Sequence, residues 1–464
     1  MTALGAVRLP RVRSPRPLAL LIVAVAIVVA SQAGSVLQAT LPSRPIAPAQ
    51  QPTVNAPVSP PEAPVAGAPD SLLMIDHNIA AWTHNVAAND KDFLSAGNLA
   101  TLYEARARLS GDVADYGRAT ESAERSLAIV PNQLDVLALH ARLALATHDF
   151  SRALTEASSL DRTAPNQPAI LAIMGDAQLE LGDIDAATDL YSRVETLAPG
   201  AAITARMARL AFLRGDPAGA VTQAGTAEAA AGKAGVQGPS LSWYAYLAGT
   251  MQLAAGDPES AGASFDRALD AWPQSYLALA GRARAAAAVG DFDKAIDGYR
   301  AAIAVAPQPD ALAALGDLLA LRGDSRGARE QYDTVLAIAQ LQGSSGLVFN
   351  RQLVLFDVNH ERDVATALQL AQKELAERRD VYGYDAEAWA LLANGRAADA
   401  DAAMTKALAI GTRDAMLLYH AGEIALGVGD PARARDLLQQ SLAIKGALDP
   451  LSSAKARASL ETLQ

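Results

Sequence analysis

Residues 278–307 read ALAGRARAAAAVGDFDKAIDGYRAAIAVAP. Gly290-Asp291 divides this stretch into two Ala-rich, apolar halves, each of helical length. A glycine ends a helix by taking the left-handed conformation that costs it little. An aspartate that follows caps the next helix through its carboxylate. Pro307 then stops the second helix, because it has no N–H to donate. Ala295 and Tyr299 stand four apart and so share a helix face. The same grammar recurs along the chain. Gly-Asp pairs stand at 182/183, 215/216, 256/257 and 323/324, with outlying pairs at 111/112 and 429/430. Pro131, Pro165 and Pro199 are each 34 apart, as are Pro273 and Pro307. Ala153, Ala187, Ala220, Ala261, Ala295 and Ala328 hold one phase, and Tyr191, Phe265, Tyr299 and Tyr332 fall four residues later. A fixed period in the thirties means stacked helix pairs, hence an all-α solenoid.

Composition agrees and removes several function classes. Of 464 residues 51% are apolar but only 5% aromatic, so Ala, Leu and Val dominate. That palette suits thin, closely packed helices rather than a β-sandwich. The net charge of −11 argues against an extended nucleic-acid surface. The chain has no Cys, which excludes disulfides, thiolate metal sites and Cys nucleophiles. The six histidines, at 77, 84, 140, 148, 360 and 420, include no pair at metal-binding spacing. There is no Gly-x-Ser-x-Gly, no phosphate loop and no His-Glu-x-x-His. His140 reads as a core histidine, and His360 falls in a loop. Asp399 and Asp401 open a helix, where acids suit the dipole. No catalytic residue, metal or cofactor is expected.

The order large apolar residue, Leu-Gly or similar, Gly-Asp, Ala, aromatic, Ala and Pro resembles the tetratricopeptide repeat. The best copies are 170–200, 242–274, 278–307 and 311–339. Gly175, Gly249, Gly316 and Gly422 match the family's small position at the helix crossing, and Ala268 and Ala302 its late Ala. The resemblance implies a right-handed α-solenoid of about ten helix-turn-helix repeats over residues 94–446. A packing helix at 70–93 would precede it and a capping helix at 447–464 would close it. Residues 225–239 read as an insertion. The stretch 344–379 keeps only Ala367 and Ala371 in phase, so the register over 344–412 is open.

The N-terminus is different. Arg8, Arg11, Arg13 and Arg16 precede an apolar run from Leu18 to Ala30, with no charge between Pro17 and Ser43. Residues 1–41 therefore read as a cleaved signal peptide or as a single membrane-spanning anchor, since 17–37 is long enough to cross a bilayer. Residues 42–69, with nine Pro in 28 positions, read as a disordered spacer. Either reading puts the repeats at the cell envelope, outside the cytoplasm.

In the family it resembles, first helices line a concave groove. The matching positions here are Arg142, Asp176, Arg206, Arg209, Trp243, Tyr246, Thr250, Arg284, Asp317, Trp389, Tyr419, His420 and Glu423. Residues 70–464 carry 34 basic against 49 acidic side chains, so arginines in one groove would form a stripe for carboxylate or phosphate. Pairing of each Arg with a neighbouring acid is the competing reading, and packing across the insertion is the competing reading for Trp243 and Tyr246. The family's carboxylate clamp for chaperone tails needs Lys and Asn where this chain has Ala138, Arg142, Ile173 and Asp176, so that clamp is absent. The resulting expectation is a non-catalytic scaffold that binds a protein or peptide segment in its groove and meets the membrane through its N-terminal helix, with no nucleic-acid partner. The alternatives are a recruiting or regulatory subunit of an envelope enzyme, or a cleaved soluble factor. Groove capture by the arginines implies that Arg206→Glu with Arg209→Glu abolishes binding without unfolding the repeats.

Overall fold

A computed structural model describes residues 72–344 and 350–463. Residues 1–41, read above as a signal peptide or anchor, and the Pro-rich stretch 42–69 lie outside the described residues. A lone helix, α1 (Leu72–Ala88), is followed by ten antiparallel pairs. These are α2 (Phe93–Ser110) with α3 (Ala114–Ile129), α4 (Leu134–Ala146) with α5 (Phe150–Thr163), and α6 (Pro168–Leu181) with α7 (Ile184–Leu197). Then come α8 (Ala201–Leu213) with α9 (Pro217–Lys233), α10 (Gly238–Ala254) with α11 (Pro258–Ala271), and α12 (Tyr276–Ala288) with α13 (Phe292–Val305). The last four are α14 (Pro309–Leu321) with α15 (Ser325–Ser344), α16 (Asn350–Asn359) with α17 (Val364–Glu377), α18 (Val381–Ala393) with α19 (Ala397–Leu408), and α20 (Ala415–Gly427) with α21 (Pro431–Ala443). Helix α22 (Pro450–Thr462) ends the array. No described helix is long and apolar enough to cross a membrane.

The repeated turn works as its residues require. Gly182, Gly215, Gly256, Gly290 and Gly323 all have positive φ. The aspartate after each accepts a hydrogen bond from the backbone N–H three residues on, as Asp183 does from Ala186 and Asp291 from Lys294. Such a cap contributes about 1 kcal/mol. The first outlying pair departs from this: α3 starts after Val113, and Asp112 accepts from Ala114 N–H without capping. Two turns without glycine use His148 (φ 64) and Glu361 (φ 51) in its place, with Asp149 and Asp363 as the caps. The helix crossing explains the small residues. A Cβ on Gly175 would lie 2.5 Å from the Tyr191 ring, and one on Gly249 2.8 Å from the Phe265 ring. The insertion extends α9 to Lys233, and Trp243 packs over Ala205, Ala231 and Tyr244 there. Between neighbouring pairs the core is continuous; Leu171, Tyr191, Ile203 and Leu210 belong to one buried cluster.

The solenoid also winds back on itself. The α6–α7 turn meets the α17–α18 loop, where a Cβ on Gly182 would strike the Arg379 carbonyl oxygen. The α8–α9 turn meets the α19–α20 loop, with Gly215 against the Gly411 carbonyl and the Thr412 hydroxyl donating to Leu213 O. The α10–α11 turn meets the α21–α22 loop, where a Cβ on Gly256 would lie 3.0 Å from Lys445 N. Arg378 ties the first of these contacts. It donates to the Glu180 backbone oxygen at 3.1 Å, pairs with the Glu180 carboxylate and lies over the Phe150 ring. Burial, reinforced by the Arg378 charge, pushes the neighbouring His148 down to about 3. Three successive turns thus seat on three successive loops roughly 190–200 residues later, forming a seam between superhelical turns.

Candidate functional site

The first helices carry the groove positions, and the structure divides them into two groups. In the N-terminal half the arginines are consumed by acids on the preceding first helix. Arg142 on α4 makes a two-pronged pair with Glu104 on α2, at 3.0 and 2.7 Å. Arg206 on α8 pairs with Asp176 on α6 through two 2.8 Å bonds; the two residues are only 3% and 4% exposed. The Tyr191 hydroxyl donates to the same Asp176 carboxylate at 2.8 Å. Arg209 pairs with Glu180, which also receives Arg378 across the seam. Burial works to raise the Glu104 and Glu180 carboxyls, but the guanidinium groups outweigh it and hold both at about 2. A carboxylate paired with a guanidinium cancels its charge and fixes its orientation, which leaves little attraction for an anionic partner. Of the two readings of Arg142, Arg206 and Arg209, pairing with neighbouring acids fits this geometry and an anion-binding stripe does not: the pairs tie successive first helices together. Asp176 is spent in the same way. Arg284 is exposed, and its guanidinium donates to Ala447 O at 3.1 Å, beside the seam. Trp243 packs edge-on to Tyr244 and Tyr246 against Phe265, with ring centroids 5.1 and 5.9 Å apart, so both serve packing around the insertion. The Thr250 hydroxyl donates back to Tyr246 O.

In the C-terminal half the candidates converge. Trp389 on α18 is half-buried, and its indole N–H donates to Asn359 Oδ1 at 2.8 Å. The indole stacks on the His420 ring of α20, centroids 4.2 Å apart and nearly parallel, and leans on Tyr419 at 5.7 Å. His420 is fully buried and its Nδ1 lies 2.8 Å from Asp385 Oδ1. Asn359, Trp389 and Tyr419 edge a cleft of about 690 Å³ walled by the ends of α16 and α17, by α18, by α20 and by α22, with His420 buried behind the indole. Its lining includes Asn359, Arg362, Trp389, Tyr419, Glu423, Lys455 and Ser459. Among the described residues, Glu423 Oε1 is buried with no hydrogen-bond partner. Burial raises the Glu423 carboxyl despite the opposing Ser459, His420 and Lys455. Asp317 stands outside this lining, held by the Tyr332 hydroxyl at 2.7 Å and by His360 at 2.8 Å.

Sequence reasoning missed half of the cleft. Lys455 and Ser459 lie on α22, which reads only as a cap, Asn359 ends α16, and Arg362 lies in the following turn without the Gly-Asp signal. It also missed the acids that neutralise the arginines, although a signal exists. Glu104, Asp176 and Glu180 precede Arg142, Arg206 and Arg209 by 38, 30 and 29 residues, about one repeat. An Arg and an acid one repeat apart on successive first helices should be tested as a bolt before they are read as a binding stripe.

Chemically, the cleft offers an aromatic wall, an unpaired buried acceptor and two flanking cations, Arg362 and Lys455. No group of His and acidic residues among the described residues is placed to hold a metal. A family model for the tetratricopeptide repeat matches residues 138–202, 246–303 and 280–342. No curated protein matches the chain in sequence. Solved structures similar to it include a human IFIT1 dimer with PPP-AAAA, at 15% identity over 80% of this chain and 87% of that one, TM-score 0.43. Yeast Tom70 is similar at 12% identity over 84% and 92%, TM-score 0.36. PilW, a type IV pilus biogenesis factor, is similar at 20% identity over 48% and 99%, TM-score 0.37. With the family model matching these stretches, and the helix pairs and small-to-aromatic crossings repeating as that family requires, this chain carries tetratricopeptide repeats over residues 138–202 and 246–342.

Proposed function

We propose that this protein-interaction scaffold holds a segment of a protein partner in the C-terminal cleft, without catalysis. The observation that carries the reading is the contrast along the concave wall. Acids neutralise Arg142, Arg206 and Arg209, whereas the cleft gathers a partly exposed indole and an acceptor, Glu423 Oε1, with no donor. Its occupant presents an apolar or aromatic side chain to Trp389 and an N–H donor to Glu423. A buried aromatic anchor of this kind typically carries 2 kcal/mol or more of binding energy, roughly thirtyfold in affinity. The place of action belongs to the same proposal: the basic, then apolar N-terminus exports or tethers the chain, so the scaffold works at the cell envelope.

Because the chain has no Cys, Ala458→Cys puts a single photo-crosslinker on the cleft wall. Crosslinking in intact cells, followed by mass spectrometry, is expected to capture one protein through a defined peptide. Trp389→Ala is expected to weaken capture at least tenfold while the repeats stay folded. Undiminished capture by folded Trp389→Ala refutes the cleft reading. N-terminal sequencing of membrane and soluble fractions tests the location, and a full-length chain found only in the cytosol refutes export.

A further inference from the structure

This inference rests on the cleft reading and concerns its regulation. One lip of the cleft is the end of α16 with the α16–α17 turn, which together supply Asn359, Glu361 and Arg362. His360, inside that turn, joins the lip to the seventh helix pair. Its Nε2 lies 2.8 Å from Asp317 Oδ1 on α14, and its Nδ1 lies 2.7 Å from Phe356 O. A carbonyl oxygen and an ionised carboxylate only accept, so both contacts are hydrogen bonds when the ring carries two protons. The Tyr332 hydroxyl of α15 donates to the same Asp317 oxygen at 2.7 Å. The Tyr332 and Phe356 rings flank the imidazole with centroids at 4.5 Å. Other charges around it are Asp357 on α16, Glu361, Arg362 and Asp363 in the turn, and Lys455 on α22.

We propose that His360 is a pH-sensitive clasp on the cleft: the imidazolium locks the α16–α17 lip to α14, and its deprotonation frees the lip together with the Asn359–Trp389 bond. A neutral ring has one N–H, so one of the two contacts becomes lone pair against lone pair. Burial and Lys455 work against the charge, but the bonds to Asp317 and Phe356 outweigh them, and the pKa is raised. The sign follows from linkage. The clasp is fully closed below the ordinary histidine value and is lost as pH rises through the raised one. In the N-terminal half the residues bridging successive first helices are arginines, which do not titrate in this range, so those bridges are unaffected; His140, raised by its contact with Glu156, titrates there as a separate group.

The test uses the full chain without a partner. With Trp82, Trp243 and Trp272 replaced by Phe, the emission of Trp389 is followed from pH 5 to 9. A one-proton transition with its midpoint above 6.5 is expected. His360→Gln should abolish it, and Asp317→Asn should lower the midpoint by about one unit. If the Phe replacements disturb folding, the imidazole Hε1 resonance that vanishes in His360→Gln gives the same midpoint in the native chain. The clasp is overturned by a flat profile, or by a transition that survives in His360→Gln and disappears in His420→Gln. The titration needs no partner, so its failure leaves the cleft reading standing. Undiminished capture by Trp389→Ala removes the cleft reading while leaving the titration intact.

Discussion

Charge reversal of Arg206 and Arg209 separates a binding stripe from a structural bolt. If these residues face a partner, Arg206→Glu with Arg209→Glu abolishes capture and leaves the fold alone. The structure leads to the opposite expectation. Arg206→Glu puts a carboxylate in a buried site where Asp176 accepted two 2.8 Å bonds, and it leaves Asp176 with only the Tyr191 hydroxyl. Breaking one such buried pair costs about 3–5 kcal/mol. Arg209→Glu sets a second carboxylate against Glu180, which is 1% exposed and keeps only Arg378 as a counter-charge. Both sites lie between α6 and α8, so the two costs overlap rather than add. A joint loss of about 5 kcal/mol or more is a large share of the 5–15 kcal/mol typical of a whole domain. In a solenoid it falls on the neighbouring interface first. Urea unfolding followed by circular dichroism, with proteolysis mapped to the 181–217 region, measures it. Arg282→Glu is the control, because Arg282 and Asp266 form an exposed pair at 3.2 Å and should matter by less than about 1 kcal/mol. A double variant that unfolds within about 1 kcal/mol of the parent refutes the bolt.

Two further expectations use the same map. Gly323→Ala pays only for a left-handed residue, about 1–2 kcal/mol, because no atom stands within 4 Å of its Cβ position. Gly215→Ala pays that cost plus a clash with the Gly411 carbonyl, about 1–3 kcal/mol more, and should enlarge the radius of gyration in small-angle scattering; equal effects at the two sites refute the seam. In acid, Glu104 and Glu180 titrate near 2 in the folded chain instead of 4.5, which amounts to roughly 3 kcal/mol each. That stabilisation is complete above about 4.5 and lost as pH falls toward 2, so stability should depend less steeply on pH in Glu180→Gln over this window; an unchanged slope contradicts the assignment.

What the sequence reveals is whatever repeats. The Gly-Asp turns, the in-phase Ala and the small-to-aromatic crossings each recur, and each corresponds to a local event within one helix pair. What stays hidden is of two kinds. His148 and Glu361 take the left-handed turn position without announcing it, since neither residue favours that conformation. The seam joins Glu180 to Arg378 and Leu213 to Thr412, about 198 residues apart, and no short-range pattern encodes a superhelical turn that closes on itself. The candidate site is intermediate. Trp389, Tyr419, His420 and Glu423 are legible as inward positions, but their convergence with Asn359 and Lys455 depends on how α16 and α22 close the last turn.

The concave wall of this solenoid is therefore not one surface. Along α2, α4, α6 and α8 its polar positions are arranged in matched Arg–acid pairs, which fix the stagger of successive repeats and, through Glu180 and Arg378, the seating of the second superhelical turn on the first. A groove whose charges are neutralised internally supplies shape and stiffness but few donors. Along α18 and α20 the equivalent positions hold His420, Trp389 and Glu423, where the pairing is incomplete: Glu423 Oε1 and His420 Nε2 are buried without partners among the described residues. Unpaired buried polar atoms cost about 1–3 kcal/mol each. Buried atoms without hydrogen-bond partners also occur at Glu180 Oε1 and His140 Nε2, so what marks Glu423 and Trp389 as the proposed recognition site is their place on the wall of an open cleft, which the seam and the arginine bolts hold in position.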